Sequence, residues 1–383
     1  MTTTPYVAAT RNFSWLEKLL QINWLFVVLI TVIASIGFAM QYSMAGGHFY
    51  PWAAPQMIRF AIGLVILAGV SLVDIRIWLA LAYPAYLVSF LLLIAVEIIG
   101  HVGLGAQRWI EIGPIQIQPS ELMKIALVLA LARYLHGLAL EEVSKPQKLI
   151  VALIMIAAPA ILVLKEPNLG TATILFADGF SLLFLAGLSW WWILPSFTAI
   201  IAAVPVAWHF LHDYQKRRVM TFLNPESDAL GAGWNITQAK IAIGSGGLTG
   251  KGFDQGTQSR LNFLPEKNTD FAISALGEEF GFVGCITLLV LFAVVIGFGI
   301  RTAMESRSQF GRLVAIGITL NFFFYIMINA AMVMGMIPVV GIPMPLISYG
   351  GTAMLSVMFG FGILMSAYVH RQVELPRSSG GII

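Results

Sequence analysis

Residues 262–270 read Asn262-Phe263-Leu264-Pro265-Glu266-Lys267-Asn268-Thr269-Asp270, and the apolar run that begins at Phe271 continues to Ile300. A run of that length crosses a bilayer, which takes about 20 apolar residues. The stretch before it is polar and ends in a carboxylate, Asp270, at the point where the chain re-enters oil. A carboxylate at a membrane boundary is costly to desolvate, so such a group has a partner or a task.

The rest of the chain agrees with this boundary. Of 383 residues, 58% are hydrophobic and 11% charged. A soluble protein could not bury that much apolar surface and keep a polar skin, so the bilayer must serve as solvent. Ten apolar stretches predict ten spans, near 22–42, 58–73, 77–98, 119–137, 148–164, 168–187, 190–210, 271–300, 312–336 and 345–369. The fold class is therefore an all-α polytopic membrane protein. The first stretch follows a mixed segment and is long enough to span, so it reads as a helix and not as a cleaved signal.

Basic residues set the orientation. With the N-terminus in the cytoplasm, the inner segments hold Arg11, Lys18, Arg76, Arg133, Lys145, Lys148, Arg301, Arg307, Arg312, Arg371 and Arg377, and the short outer ones only Arg59, Arg108 and Lys165. Both termini then lie inside. This bias accounts for the formal charge of +3, which gives no reason to invoke a nucleic acid. Cys285 is the single cysteine, so no intrachain disulfide forms.

Three parts follow: a cytoplasmic segment 1–21 with an interfacial helix around 13–20, a membrane domain 22–370, and a cytoplasmic tail 371–383. The outer loop 211–269, between spans seven and eight, is too long for a plain connection. Its Trp234, Ile236, Ile241, Ile243 and Leu261 need burial, which predicts an ordered loop of short helices. Within it, Gly244-Ser245-Gly246-Gly247-Leu248-Thr249-Gly250-Lys251-Gly252 fails the phosphate-loop pattern, but its backbone N–H groups could form an anion nest or a tight turn. The histidines show no metal-ligand spacing.

Three polar features interrupt the apolar runs. In Gln118-Pro119-Ser120-Glu121-Leu122-Met123-Lys124, Pro119 opens a helix with Ser120 as cap. Glu121 and Lys124 then share a face, either as an ion pair between helices or as a charged wall for an anionic substrate. Lys165-Glu166-Pro167-Asn168 reads as an outer turn with surface charges. Pro343-Met344-Pro345-Leu346-Ile347-Ser348-Tyr349-Gly350-Gly351 predicts non-helical backbone at membrane depth, lining a cavity or buried in protein.

These features together carry a resemblance. Gly105-Ala106-Gln107-Arg108-Trp109, Gln118 to Lys124, Ala242-Ile243-Gly244-Ser245-Gly246-Gly247, Phe263-Leu264-Pro265-Glu266 with Thr269-Asp270-Phe271, and Ile347-Ser348-Tyr349-Gly350-Gly351 stand in order along the membrane body. In them the chain resembles the SEDS family of bacterial cell-wall synthases. Gly256-Thr257-Gln258-Ser259 with Leu261, and Pro338-Val339-Val340-Gly341-Ile342-Pro343, resemble its elongation branch more than its division branch. Asn168 and Asn268 depart from the pattern, where relatives often carry Asp and His.

The resemblance implies a peptidoglycan glycosyltransferase of the bacterial plasma membrane. Its substrate would be lipid II, a disaccharide-peptide on undecaprenyl pyrophosphate, and its partners a class B penicillin-binding protein and other elongation-complex proteins. The acceptor 4-hydroxyl would attack the donor's anomeric carbon with inversion, and pyrophosphate would leave without protonation. Such chemistry needs a general base and cations at the leaving group. Asp270 matches the base, with Glu266 next in line. Lys124, Arg108, Arg217 and Arg218 are the candidate phosphate partners, and Glu121 and Ser348 line the substrate side. A divalent cation at the pyrophosphate would have no sequence-evident ligand set. The alternative is a lipid II flippase, which Glu121 and Lys124 would also suit. Polar investment concentrated on one membrane face favours the enzyme.

Overall fold

The computed structural model describes residues 15–103, 106–112, 115–192, 195, 198, 202, 208–209, 213–224, 232–260 and 266–376. The chain begins with a short helix, α1 (Trp15–Gln21), followed by α2 (Trp24–Met44), α3 (Ala53–Leu72) and α4 (Ile75–Ile99). Three short strands come next, β1 (His101–Gly103), β2 (Ala106–Ile112) and β3 (Ile115–Ile117). Then follow α5 (Pro119–His136), α6 (Leu140–Val143), α7 (Pro146–Lys165) and α8 (Leu169–Leu185). The long loop contributes α9 (Asp213–Leu223), α10 (Ala232–Ser245) and α11 (Thr257–Arg260). Last are α12 (Ala272–Glu305), α13 (Gln309–Val333) and α14 (Gly351–Val369).

The helix starts follow local chemistry. Asn23, Asp74, Asn168 and Ser308 each cap a helix by accepting a backbone N–H two or three residues on. Pro119 and Pro146 stand in the first turn of their helices, where no N–H partner is lost. Gln118, not Ser120, is the N-cap residue of α5; Ser120 lies inside the helix and its hydroxyl accepts from the Gln118 amide at 3.0 Å. A proline at the first position had already fixed where the helix begins.

Seven described helices are long and apolar enough to cross a membrane: α2, α3, α4, α7, α12, α13 and α14. Two more expected spans coincide with α5, which carries Glu121, Lys124 and Arg133, and with α8, which has 17 residues. The expected span 190–210 falls mostly outside the described residues. Helix α5 is buried on nearly every side, as its all-round apolar character requires. It packs against α4, α8 and α13, while α14 lies along α3.

The strands were not expected. They form an antiparallel meander in which Glu111 pairs with Gln116, and His101 pairs with Trp109 across an irregular register. The period-2 pattern is too short to rise above the apolar background around it. Arg59, which the charge count placed outside, lies in the second turn of α3.

The break in α12 shapes the outer half. Gly281 has φ 63° and ψ −158°, which interrupts the helix. The carbonyls of Glu278 and Glu279 accept instead from the N–H groups of Lys251 and Gly252, both at 3.0 Å. In return, Phe282 and Val283 donate to the carbonyls of Gly247 and Leu248 at 2.9 and 3.1 Å. The glycine-rich segment thus replaces the missing helical bonds, which irregular backbone buried in protein must do. Its Lys251 and Gly252 N–H groups are therefore committed to α12, which excludes them from an anion nest.

Candidate functional site

Asp270 sits in a turn, Glu266–Phe271, immediately before α12. The Glu266 carbonyl accepts from the Phe271 N–H at 3.3 Å, and its carboxylate accepts from the Thr269 hydroxyl at 2.8 Å. The N-cap residue of α12 is Phe271, so Asp270 does not hold that position. Its own carbonyl is fixed by the Asn329 amide of α13 at 2.9 Å, and the same amide reaches the Ile342 carbonyl at 2.6 Å. Gly341, with φ +74°, leaves room beside the carboxylate: a Cβ there would lie 3.5 Å from Asp270 Oδ2. Lys267 in the same turn is buried, with its ammonium 5.6 Å from the Trp52 ring, and burial pushes its pKa down.

The segment before α14 is non-helical, as its prolines and glycines predict, and it is held from both sides. Gln41 of α2 donates to the carbonyls of Asn268 and Ile347 at 3.0 and 3.2 Å. Gln56 of α3 donates to the Ser348 carbonyl at 2.9 Å, and Tyr349 N–H donates to the Asn268 carbonyl at 2.7 Å. Ser348 is buried, and its hydroxyl accepts from the Met344 N–H at 2.9 Å. The turn that carries Asp270 is therefore bound to the segment that carries Ser348.

Deeper in the bundle lies a charged cluster. Lys124 is 1% exposed, and its ammonium is 2.7 Å from Glu121 Oε1. Tyr325 of α13 completes it: its hydroxyl donates to Glu121 Oε2, and Lys124 donates to that hydroxyl. The Glu121 carbonyl accepts from Ser356 of α14 at 3.1 Å. A cavity of about 10 Å³, the size of one water, separates Tyr325 from Ser348 and Met344. Lys124 and Glu121 thus face the bundle interior and not lipid.

Arg108 on β2 reaches a different part of the same region. Its Nε donates to the Glu166 carbonyl at 3.0 Å and its Nη2 to the Pro167 carbonyl. The start of α8, which follows this turn, packs on the segment before α14, since a Cβ on Gly170 would lie 3.0 Å from the Val340 carbonyl oxygen. Glu166 is not the surface charge expected: it is 3% exposed, neither carboxylate oxygen has a hydrogen-bond partner, and its pKa is pushed up to about 8. Burial is the main cause, offset in part by Arg108 and reinforced by Glu97. Arg217 and Arg218 belong to α9, but their side chains lie outside the described residues, as do Asn262 to Pro265. Among the described residues, no group of three or more His, Cys, Asp or Glu could hold a metal ion.

Sequence reading missed Tyr325 and Asn329. A signal was present: Asn321, Tyr325 and Asn329 recur every four residues along an otherwise apolar helix, which places them on one stripe. Gln41 and Gln56 were lone polar residues in apolar runs and gave no such pattern.

Comparison with known proteins places the chain in a family. Residues 17–373 match the family described as cell cycle protein, FtsW/RodA/SpoVE. The chain is 45% identical over 318 residues to the peptidoglycan glycosyltransferase MrdB of Escherichia coli K12, covering 82% of this chain and 85% of that one. It is 38% identical over 331 residues to MrdB of Helicobacter pylori, covering 83% of each. A chain in a solved peptidoglycan synthase complex, described as coordinating polymerization and crosslinking, superposes with a TM-score of 0.80 at 29% identity, covering 91% of this chain and 98% of that one. The rod shape determining protein RodA of Thermus thermophilus superposes with a TM-score of 0.69 at 26% identity, covering 91% and 97%. On a family match across nearly its whole length and a relative at 45% identity, the chain belongs to the FtsW/RodA/SpoVE family, the SEDS proteins.

Proposed function

We propose that this chain is the peptidoglycan glycosyltransferase of cell elongation and polymerises lipid II with Asp270 as general base. The observation that carries the assignment of the base is the place of Asp270. Its carboxylate faces Gly341 in a turn clamped by Asn329 and Gln41, outside the membrane-spanning part of α12. A base must be held in reach of the acceptor hydroxyl, and a turn fixed from two helices achieves this. Lys124 then serves the departing pyrophosphate, with Glu121 and Tyr325 keeping its ammonium in place until anionic substrate arrives. Arg108, Arg217 and Arg218 extend the cationic surface, and Glu266 and Ser348 shape the turn and segment on either side of the base.

In this reading the Asp270 turn and the 211–269 loop lie on the extracytoplasmic face and both termini lie in the cytoplasm, as the basic residues dictate. Segment 1–21, membrane domain 22–370 and tail 371–383 remain the working division. The transpeptidase partner is a class B penicillin-binding protein, consistent with the synthase complex that the fold resembles.

The test is purified protein in vesicles supplied with lipid II, with and without the transpeptidase. Glycan polymer and movement of the lipid across the bilayer are scored separately. Polymer without translocation supports the assignment; translocation without polymer overturns it in favour of a flippase.

A further inference from the structure

Helices α5, α8 and α13 meet at Gly317, where a Cβ would lie 2.5 Å from Val128 Cγ1 and 3.2 Å from Leu182 Cδ2. One helical turn from this junction, on the same faces, stand Lys124 on α5, Asp178 on α8 and Asn321 on α13. The close approach at glycine therefore brings a second carboxylate to the level of Lys124. Asp178 is 0% exposed. Its Oδ2 accepts from the Asn321 amide at 2.6 Å, while its Oδ1 is buried with no hydrogen-bond partner. Asp178 acts electrostatically on both Lys124 and Tyr325.

The charges do not balance if all groups ionise. Lys124 supplies one cation, whereas Glu121 and Asp178 supply two carboxylates, and Tyr325 is the other titratable group that faces them among the described residues. An uncompensated charge in a membrane interior is costly, so the cluster is stable when one carboxylate carries a proton. Glu121 already accepts from Lys124 on one oxygen and from Tyr325 on the other, so neither of its oxygens lacks a donor. The partnerless Oδ1 of Asp178 is then the place for the proton. A cavity of about 10 Å³ touches both Tyr325 and Ser348, large enough for one water between the cluster and the proposed site, and another of the same volume touches Asn321 and Ser356.

We propose that Asp178 is a positioning residue for Lys124. Protonated, it leaves the ammonium held only by Glu121 and the Tyr325 hydroxyl and able to turn to an anionic, diphosphate-bearing substrate; ionised, it attracts the ammonium from a second side and withdraws it from that substrate. The proposal rests on the assignment of Lys124 to pyrophosphate made above. Its sign follows directly: substrate binding weakens as pH rises through the ionisation of Asp178.

Two measurements on the full-length protein test it. The first is KM for lipid II against pH. In the wild type KM rises on the alkaline side, by up to about tenfold per pH unit. In Asp178→Asn that rise is absent, while kcat on the acid side stays within about threefold. Asn321→Leu removes a donor that favours the carboxylate, so it moves the alkaline rise to higher pH. The second is infrared spectroscopy of the protein without substrate, where a protonated-carboxyl band at neutral pH should vanish in Asp178→Asn. Superimposable KM profiles for wild type and Asp178→Asn overturn the proposal, as does a band that Asp178→Asn leaves in place. If the wild type makes no polymer, the functional assignment fails, and the infrared band alone still decides where the proton lies.

Discussion

Gly250 and Gly281 meet backbone to backbone: a Cβ on Gly281 would lie 2.4 Å from the Gly250 nitrogen, and one on Gly250 would lie 2.1 Å from the Glu279 carbonyl oxygen. Both glycines also have positive φ, at 82° and 63°. Only residues without Cβ allow the loop to enter the break in α12, and backbone strain of this kind costs about 1–3 kcal/mol elsewhere. The carboxylates lock the docking. Glu278 accepts from Lys251 Nζ at 2.6 Å and from the Thr257 N–H at 2.8 Å, while Glu279 accepts from the Asp254 N–H at 3.2 Å.

Gly281→Ala should therefore undock the loop. The expected result is a lower thermal midpoint and faster proteolysis within 246–258 in detergent. An unchanged midpoint and cleavage pattern would show that some other contact holds the loop.

The legible parts of the sequence were those where one residue type has one physical meaning. Apolar runs located the described spans, with ends off by up to about six residues, and Pro119 gave the start of α5. Glu121 and Lys124 were legible as a pair because three residues along a helix is contact distance. What stayed hidden depends on long-range pairing. The function of Gly250 requires Gly281, thirty-one positions on, and Glu278 reads as an oddity in an apolar run until Lys251 and Thr257 are beside it. Glu166 looked like a turn charge because burial at a helix–helix turn leaves no local pattern.

The Lys124–Glu121 pair sets up a contrast between stability and activity. Lys124→Met leaves Glu121 buried with one partner fewer, and breaking a buried ion pair costs about 3–5 kcal/mol. The single variant should therefore lose both thermal stability and polymerisation. Adding Glu121→Gln removes the stranded charge, so the double variant should regain stability and stay inactive. A stable double variant with wild-type polymerisation would reduce the pair to a structural contact.

Glu166 gives a pH dependence of opposite sense to an ordinary surface acid. Its folded-state pKa of about 8 lies above the unfolded value, so the native state binds the proton more tightly. Stability contributed by this group is present at low pH and falls as pH rises toward 8. Glu166→Gln mimics the protonated form. Its thermal midpoint should match the wild type below about pH 4 and exceed it above pH 8. Parallel midpoints across that range would mean that Glu166 is ionised in the fold and paired with Arg108.

Asp270→Asn is the decisive substitution at the proposed site. The amide keeps the shape of the carboxylate, and three contacts that place the turn are made to backbone groups: the Asp270 carbonyl to Asn329 and the Asn268 carbonyl to Gln41 and Tyr349. None depends on the side-chain charge, and the N-cap of α12 is Phe271. The fold and its thermal midpoint should therefore survive. A positioned general base contributes roughly 10²–10⁴-fold, so polymer formation should fall by that factor while KM for lipid II changes little. Asp270→Glu keeps the acid but moves it by about one methylene from the place the carboxylate holds beside Gly341, and should restore only part of the rate. If Asp270→Asn polymerises at the wild-type rate, the base lies elsewhere. Glu266, whose carboxylate now accepts from Thr269 in the same turn, is then the group to substitute.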